Sequence, residues 1–280
     1  MHRHRRDSET AQELLVDLGR LVDQALEDIR HQRARAELGL ELQRHMLPAG
    51  LPDFPGLRVG ARYSPSQNGL AVGGDFYDAF ALRDGAVGLA IGDVQGHGVE
   101  AAALMGEVRA SLRALASVTT DPGSVLARVN DLLISLGGEL FTTCCLLSIA
   151  PGSGRFSVAR AGHVPVVWGG DDGGSGVLLD PGGVPLGILD DQWYPVTRRR
   201  LPGPGYLVLL TDGVVEGPAY PVDRGLAAVA ELVGAARGAD PEALAGQVIE
   251  VADLTGHEDD AAVLVVRYDG APPVGRVSDE

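Results

Sequence analysis

The chain has 280 residues, 45% of them hydrophobic, long enough to bury a full core as one large domain or as a domain with an extension. Its formal net charge of -15 opposes nucleic acid and anionic membrane surfaces as partners. Its two cysteines, Cys144 and Cys145, are adjacent, which excludes a disulfide framework and the spacing of a zinc knuckle and leaves them as small strand residues.

Residues 1–50 read as a helical arm. Between Glu9 and Met46 there is no proline, and Leu14, Leu18, Leu21 and Ala25 recur by fours and threes, the spacing of a helix with an apolar seam. The seam lapses over "DIRHQRARAE" and returns at Leu38, Leu42 and Met46, so a long coiled coil does not follow. Two readings stay open: the arm packs on its own domain, or it carries a homodimer or partner contact. The first residues have no apolar segment behind their charges, and no later run reaches membrane-span length, so the expectation is a cytoplasmic protein without a membrane partner.

"LPAGLPDFPGL" ends the helix with prolines and opens a body expected over residues 51–269. Strands are predicted at "LRVGARY", "AVGLAIGD", "FTTCCLLSIA", "RFSVARAG", "PVVWG", "YLVLLTD" and "AAVLVVRY". Helices are predicted at "EAAALMGEVRASLRALAS", "SVLARVNDLLISL", "DRGLAAVAELVGAA" and "PEALAGQVIEVADL", the last with Asp240 as cap and Pro241 at its first position. Two consecutive helices and several consecutive strands argue for strand layers with helices outside them. "DDGGSG" at 171–176 reads as a loop, "TRRRL" at 197–201 as a solvated strand end, and residues 270–280 as a disordered tail.

The candidate functional residues are carboxylates at strand ends: Asp75 in "VGGDFYD", Asp93 in "IGDVQGHG", Asp212 in "LLTDG", and Asp259 with Asp260 in "HEDDAAVLVV". A lone aspartate beside glycine is commonly a turn residue, and periodicity does not establish that distant acids meet. Buried together, they would need cations or shared protons to offset desolvation and repulsion. Oxygen-only ligands suit magnesium or manganese rather than a zinc cage.

Taken in order, "LQRHMLPAGLP", "VGGDFYD", "IGDVQGHGVEAAALM", "ARAGHVPVVW", "GGVPLGI", "YLVLLTDGVVE" and "EDDAAVLVV" resemble the metal-dependent protein phosphatase superfamily, PPM or PP2C-like, over about residues 41–268. The resemblance is to the branch of stage II sporulation protein E and related bacterial regulators of anti-sigma-factor antagonists. It implies an α+β fold: a central β-sandwich of two mainly antiparallel sheets flanked by α-helices, four αββα layers, with the N-terminal helical extension. It further implies two Mn2+ or Mg2+ ions, bridged by Asp93, with the Val94 carbonyl as a second contact. Asp212 and Asp259 would hold one ion, with Asp260 as the alternative to Asp259, and Asp75 the other.

Catalysis would then run through Asp93, Asp212 and Asp259 by a metal-held hydroxide, with no protein nucleophile. The implied substrate is a phosphoserine or phosphothreonine on a regulatory protein, an anti-sigma-factor antagonist. A catalytically silent sensor or scaffold and a hydrolase of small phosphate esters are the other readings. The chain departs from the wider superfamily at Gln95, where eukaryotic members have histidine, and in "QNGLAVGGD", which supplies no phosphate-binding arginine. Ala262 replaces a threonine common in the branch, and His163 is expected to order a turn.

Overall fold

The computed structural model describes residues 18–34, 46–65, 73–96, 98–218, 220–256 and 259–270. Residues 18–34 form an exposed helix, α1; the remaining arm residues 1–17 and 35–45 and the tail residues 271–280 lie outside the described residues.

Among the described residues, ten strands form two five-stranded sheets. The first runs β1 (Leu57–Ser64), β10 (Ala261–Tyr268), β9 (Gly205–Leu210), β6 (Val167–Gly170), β7 (Ser175–Val177). The second runs β2 (Asp75–Ala81), β3 (Val87–Val94), β4 (Thr142–Ile149), β5 (Arg155–Ala161), β8 (Thr197–Arg200). Every ladder pairing within them is antiparallel.

The two-residue period of a strand sends alternate side chains to opposite faces, so each sheet has an inner and an outer apolar face. Leu89, Ile91, Leu147 and Val158 of one sheet meet Leu207, Leu209, Leu264 and Val266 of the other in a buried layer between them. The outer face of the second sheet packs on α2 (Val99–Ala116) and α3 (Pro122–Leu136), through Phe76, Met105, Leu112, Leu126 and Leu146. The outer face of the first packs on α5 (Val222–Ala235), α6 (Pro241–Ile249) and α7 (Val251–Thr255). The four layers implied by the resemblance are therefore those of the molecule.

Local chemistry sets the helix ends. Asp240 accepts hydrogen bonds from the Glu242 and Ala243 amides at 3.0 and 3.3 Å, with Pro241 next, as its cap-and-proline order predicts. At the start of α3, Asp121 accepts from the Ser124 amide at 3.0 Å, and Gly137 closes the helix with a left-handed φ of 69°. Several elements differ from the sequence reading. β2 was not predicted, because "DFYDAFA" is buried on both faces and shows no apolar-polar alternation. The predicted final helix divides at Glu250 into α6 and α7. Residues 175–177 pair as β7 against β6, so the expected 171–176 loop closes a hairpin; the arginines of "TRRRL", expected at a solvated strand end, are exposed on β8, an outer strand paired with β5.

Among the described residues no helix is long and apolar enough to cross a membrane. Cys144 and Cys145 point to opposite faces of β4, both buried, and burial pushes both thiols above their ordinary range. The native protein is expected to resist Ellman's reagent on the timescale in which urea-unfolded chain reacts fully; rapid labelling of the folded protein would contradict this burial.

Candidate metal centre

The inward-facing apolar series on six strands ends in a polar residue at one edge of the sandwich. Along β1 it runs Leu57, Val59, Ala61 to Tyr63; along β2, Ala79, Tyr77 to Asp75; along β3, Val87, Leu89, Ile91 to Asp93. Along β4, Ile149, Leu147 and Cys145 lead to Thr143. On the other sheet, Leu207 and Leu209 of β9 lead to Thr211, and Val266, Leu264 and Ala262 of β10 lead back to Asp260. Register brings these ends together: Asp75 lies opposite Asp93, Asp93 opposite Thr143, and Tyr63 opposite Ala262.

Asp75 and Asp260 are buried, Asp93 and Asp212 partly so, and Asp259 is exposed. Burial raises the Asp75 pKa well above the ordinary carboxylate range, and Asp93, Asp260 and Asp212 raise it further, against a hydrogen bond from Thr211. Burial, followed by repulsion from Asp212 and Asp259, pushes Asp93 up to about 8. Asp212 is likewise raised by burial and then by Asp259. These mutual effects join acids from both sheets in one electrostatic cluster.

Hydrogen bonds order the cluster. The Thr211 hydroxyl donates to Asp75 Oδ2 at 2.7 Å and accepts from the Ala262 amide at 2.9 Å, tying β2 to the first sheet. Tyr63 donates its hydroxyl to Asp260 Oδ2. Asp212 accepts from the Gly213 amide at 2.9 Å at the start of the short helix α4 (Asp212–Val215), and Asp259 accepts from the Asp260 amide at 2.8 Å. The Val94 amide bonds the Gly74 carbonyl at 3.1 Å, and a Cβ on Gly74 would stand 2.0 Å from the Val94 carbonyl oxygen, a close approach that requires glycine.

His163 sits behind the acids. Its Nε2 faces the Leu210 carbonyl at 3.0 Å, which accepts, so Nε2 carries the proton and Nδ1 accepts from the Thr143 hydroxyl at 2.8 Å. Burial lowers its pKa to about 4, so it is a neutral strut between the sheets. Asp78, three residues from Asp75 and so on the opposite side of β2, is paired with Arg113 of α2 at 2.5 and 2.6 Å. Gln95 is exposed at the end of β3, its amide bonded to the Phe141 carbonyl at 2.9 Å. Sequence reasoning missed Thr211 and Tyr63. The signal available was their place at the end of an alternating inward series, legible only once neighbouring strands are in register.

Among the described residues, the largest influences on Asp75, Asp93 and Asp212 include no lysine or arginine. Carboxylate oxygens gathered in this way are the donor set of a hard divalent cation, so the residues present fit one chemically. Among the described residues, however, no three acidic, histidine or cysteine side chains already enclose a single ion site.

A family model described as stage II sporulation protein E (SpoIIE) matches residues 83–269. The chain belongs to this family, within the PPM or PP2C-like metal-dependent phosphatase superfamily. It is similar to the protein IcfG of Synechocystis sp., at 28% identity over 213 residues, covering 66% of this chain and 33% of that protein. It is also similar to the phosphoserine phosphatase RsbU of Bacillus subtilis, at 26% over 195 residues, covering 69% of this chain and 57% of RsbU. Among solved structures, the RsbU and RsbW domains of Rv1364c from Mycobacterium tuberculosis align with a TM-score of 0.73 and 31% identity, covering 81% of this chain and 64% of that one. The chain thus spans less than two thirds of each of these relatives.

Two outcomes follow. A carboxylate whose folded pKa is raised costs nothing below its unfolded value near 4, and its cost grows until pH passes the folded value of about 8. Metal-stripped Asp93→Asn protein is therefore expected to gain stability over wild type as pH rises between those limits, in thermal melts with chelator; a pH-independent difference would refute it. Thr211→Val leaves the Ala262 amide unpaired and should lower stability by about 1–3 kcal/mol in urea titrations.

Proposed function

We propose that this protein is a divalent-metal-dependent serine/threonine protein phosphatase. The observation that carries the reading is the mutual electrostatic influence of Asp75, Asp93, Asp212, Asp259 and Asp260, from both sheets, at one edge. Membership of the SpoIIE family and similarity to RsbU, named a phosphoserine phosphatase, support the same activity.

Asp93, Asp212 and Asp259 would hold two manganese or magnesium ions with Asp75 and the Val94 carbonyl, Asp260 being the alternative to Asp259. When bound, the ions supply an activated water and offset charge on the transferring phosphoryl group. The protein's own part is to mount these carboxylates on strand ends, hold Asp75 through Thr211, and keep the two sheets in register through His163. In this reading the attacking group is the activated water, and no protein side chain serves as nucleophile. Gln95 occupies an exposed position beside Asp93 without offering a proton of suitable acidity.

The substrate in this reading is a phosphoserine or phosphothreonine of a regulatory protein, an anti-sigma-factor antagonist. Phosphate release from such a phosphoprotein should require manganese or magnesium and fall by more than about 100-fold in Asp93→Asn and Asp212→Asn. Asp259→Asn and Asp260→Asn, assayed alongside, assign the last ligand. Release that is independent of metal, or unchanged in the first two variants at matched folding, would overturn the assignment.

Residues 1–50 are taken as an arm and 51–269 as the phosphatase domain. Along α1, Leu18, Leu21, Val22, Leu26 and Ile29 are all exposed, which supports self-association through this helix. Sedimentation at micromolar concentration should show a dimer for the full chain and a monomer for Val22→Glu/Ile29→Glu; a monomeric wild type would remove the basis for it.

A further inference from the structure

A second apolar surface lies beside the acidic edge. After β7 the chain reaches Leu186, which exchanges two backbone hydrogen bonds with Thr142, at 2.8 and 3.1 Å, and Thr142 is the ladder partner of Val94. Leu186 therefore stands two strand spacings from Val94, about 10 Å. Asn130 of α3 clamps the next residues, accepting from the Gly187 amide and donating to the Leu189 carbonyl, both at 2.9 Å. Farther along, the Tyr194 carbonyl lies over Gly123, at the start of α3, where an added Cβ would be 2.4 Å away. Residues 186–194 thus form a strap antiparallel to α3, fixed on its inner side.

Its outer side is apolar and uncovered. Ile188 is 44% exposed, Leu189 49% and Trp193 75%, while Leu136, one turn beyond Leu133 on α3, is 59% exposed. Core demand does not explain these side chains, because the strap is already secured by Asn130, by the Thr142 bridge and by buried Tyr194. The charged neighbours are mainly acidic: Asp190 and Asp191 follow Leu189, Asp131 precedes Leu132 and Glu139 follows the helix, against Arg128 on α3 and Arg198, which is paired with Asp121 at the start of α3.

We propose that this strap, with the side of α3 it runs along, is the docking surface for the folded body of the phosphoprotein substrate, which meets it with an apolar patch flanked by lysine or arginine. The inference rests on the phosphatase reading above and adds where the substrate is gripped. Charge complementarity selects a basic-flanked partner, and continuity with β4 and β3 places that partner within reach of the acids. A short phosphopeptide or a small ester fills the acidic edge without touching the strap. The strap then governs capture of whole proteins and leaves the chemistry untouched.

The test compares wild type with Trp193→Ala and with Ile188→Ser/Leu189→Ser, all exposed positions, after thermal melts confirm folding. Three substrates are used: a phosphorylated anti-sigma-factor antagonist, a phosphoserine peptide from the same site, and p-nitrophenyl phosphate. Docking predicts KM for the protein raised about tenfold or more, with kcat kept, and peptide and ester kinetics unchanged. Unchanged protein KM, or equal losses on all three substrates, would overturn it. Binding of the same phosphoprotein to Asp93→Asn, with and without the strap changes, separates the two proposals. If wild type hydrolyses nothing while strap changes still abolish binding, the phosphatase reading fails and docking stands; if no binding occurs at all, docking fails. Strap variants that convert a dimer to a monomer in sedimentation would reassign the surface to a second copy of the chain.

Discussion

The dry layer between the two sheets is the constraint on which the site depends. Sheets packed face to face stand about 10 Å apart, so side chains ending each inward series must meet their counterparts across the gap or face water. Here Asp75, Asp93 and Thr143 end the series on one sheet, and Tyr63, Thr211 and Asp260 on the other. Apolar packing behind them fixes their separation, and it does so with residues that have no chemistry of their own. The hydroxyl of Thr211 and the ring of His163 then span the gap with hydrogen bonds, so a shift between the sheets would disturb acids from both.

That arrangement sets stability against function. Like charges opposed across a ladder, as Asp75 and Asp93 are, weaken the pairing, and their burial adds a desolvation cost. Asp78 shows the alternative available on the same strand. It is as buried as Asp75, but it faces α2 and is offset by Arg113. One strand thus carries a compensated acid toward the helices and an uncompensated one toward the edge. The contrast is what makes Asp75 a candidate for function, since Asp78 on the same strand is paired with a cation.

Much of this was legible in the sequence. The apolar strands at "AVGLAIGD" and "AAVLVVRY" stand out because they are buried on both faces, and Asp240–Pro241 announces a helix start by its own chemistry. The motif order pointed to the fold and to the acids as a set. What the sequence did not reveal depends on registration between distant segments. The facing of Asp75 and Asp93 needs β2 recognised as a strand, and its acids disguised it. The roles of Tyr63 and Thr211 need β1, β10 and β9 aligned to within one residue, because a slip by one would turn each side chain to the opposite face.

Strand order gives the acids unequal footing. Asp93 belongs to β3, and Asp212 and Asp260 adjoin β9 and β10, all strands with a neighbour on each side. Asp75 belongs to β2, which among the described residues is the outermost strand of its sheet and is bonded in the ladder only to β3. An outer strand can open locally without disrupting interior ladders, and its free-energy cost of opening lies below that of global unfolding. Fraying of β2 would carry Asp75 away and break the Thr211 tie while the other acids keep their mounts. Amide hydrogen exchange along β2 would then follow the same opening that admits solvent to the acidic edge, making the exchange of that strand a clock for the site.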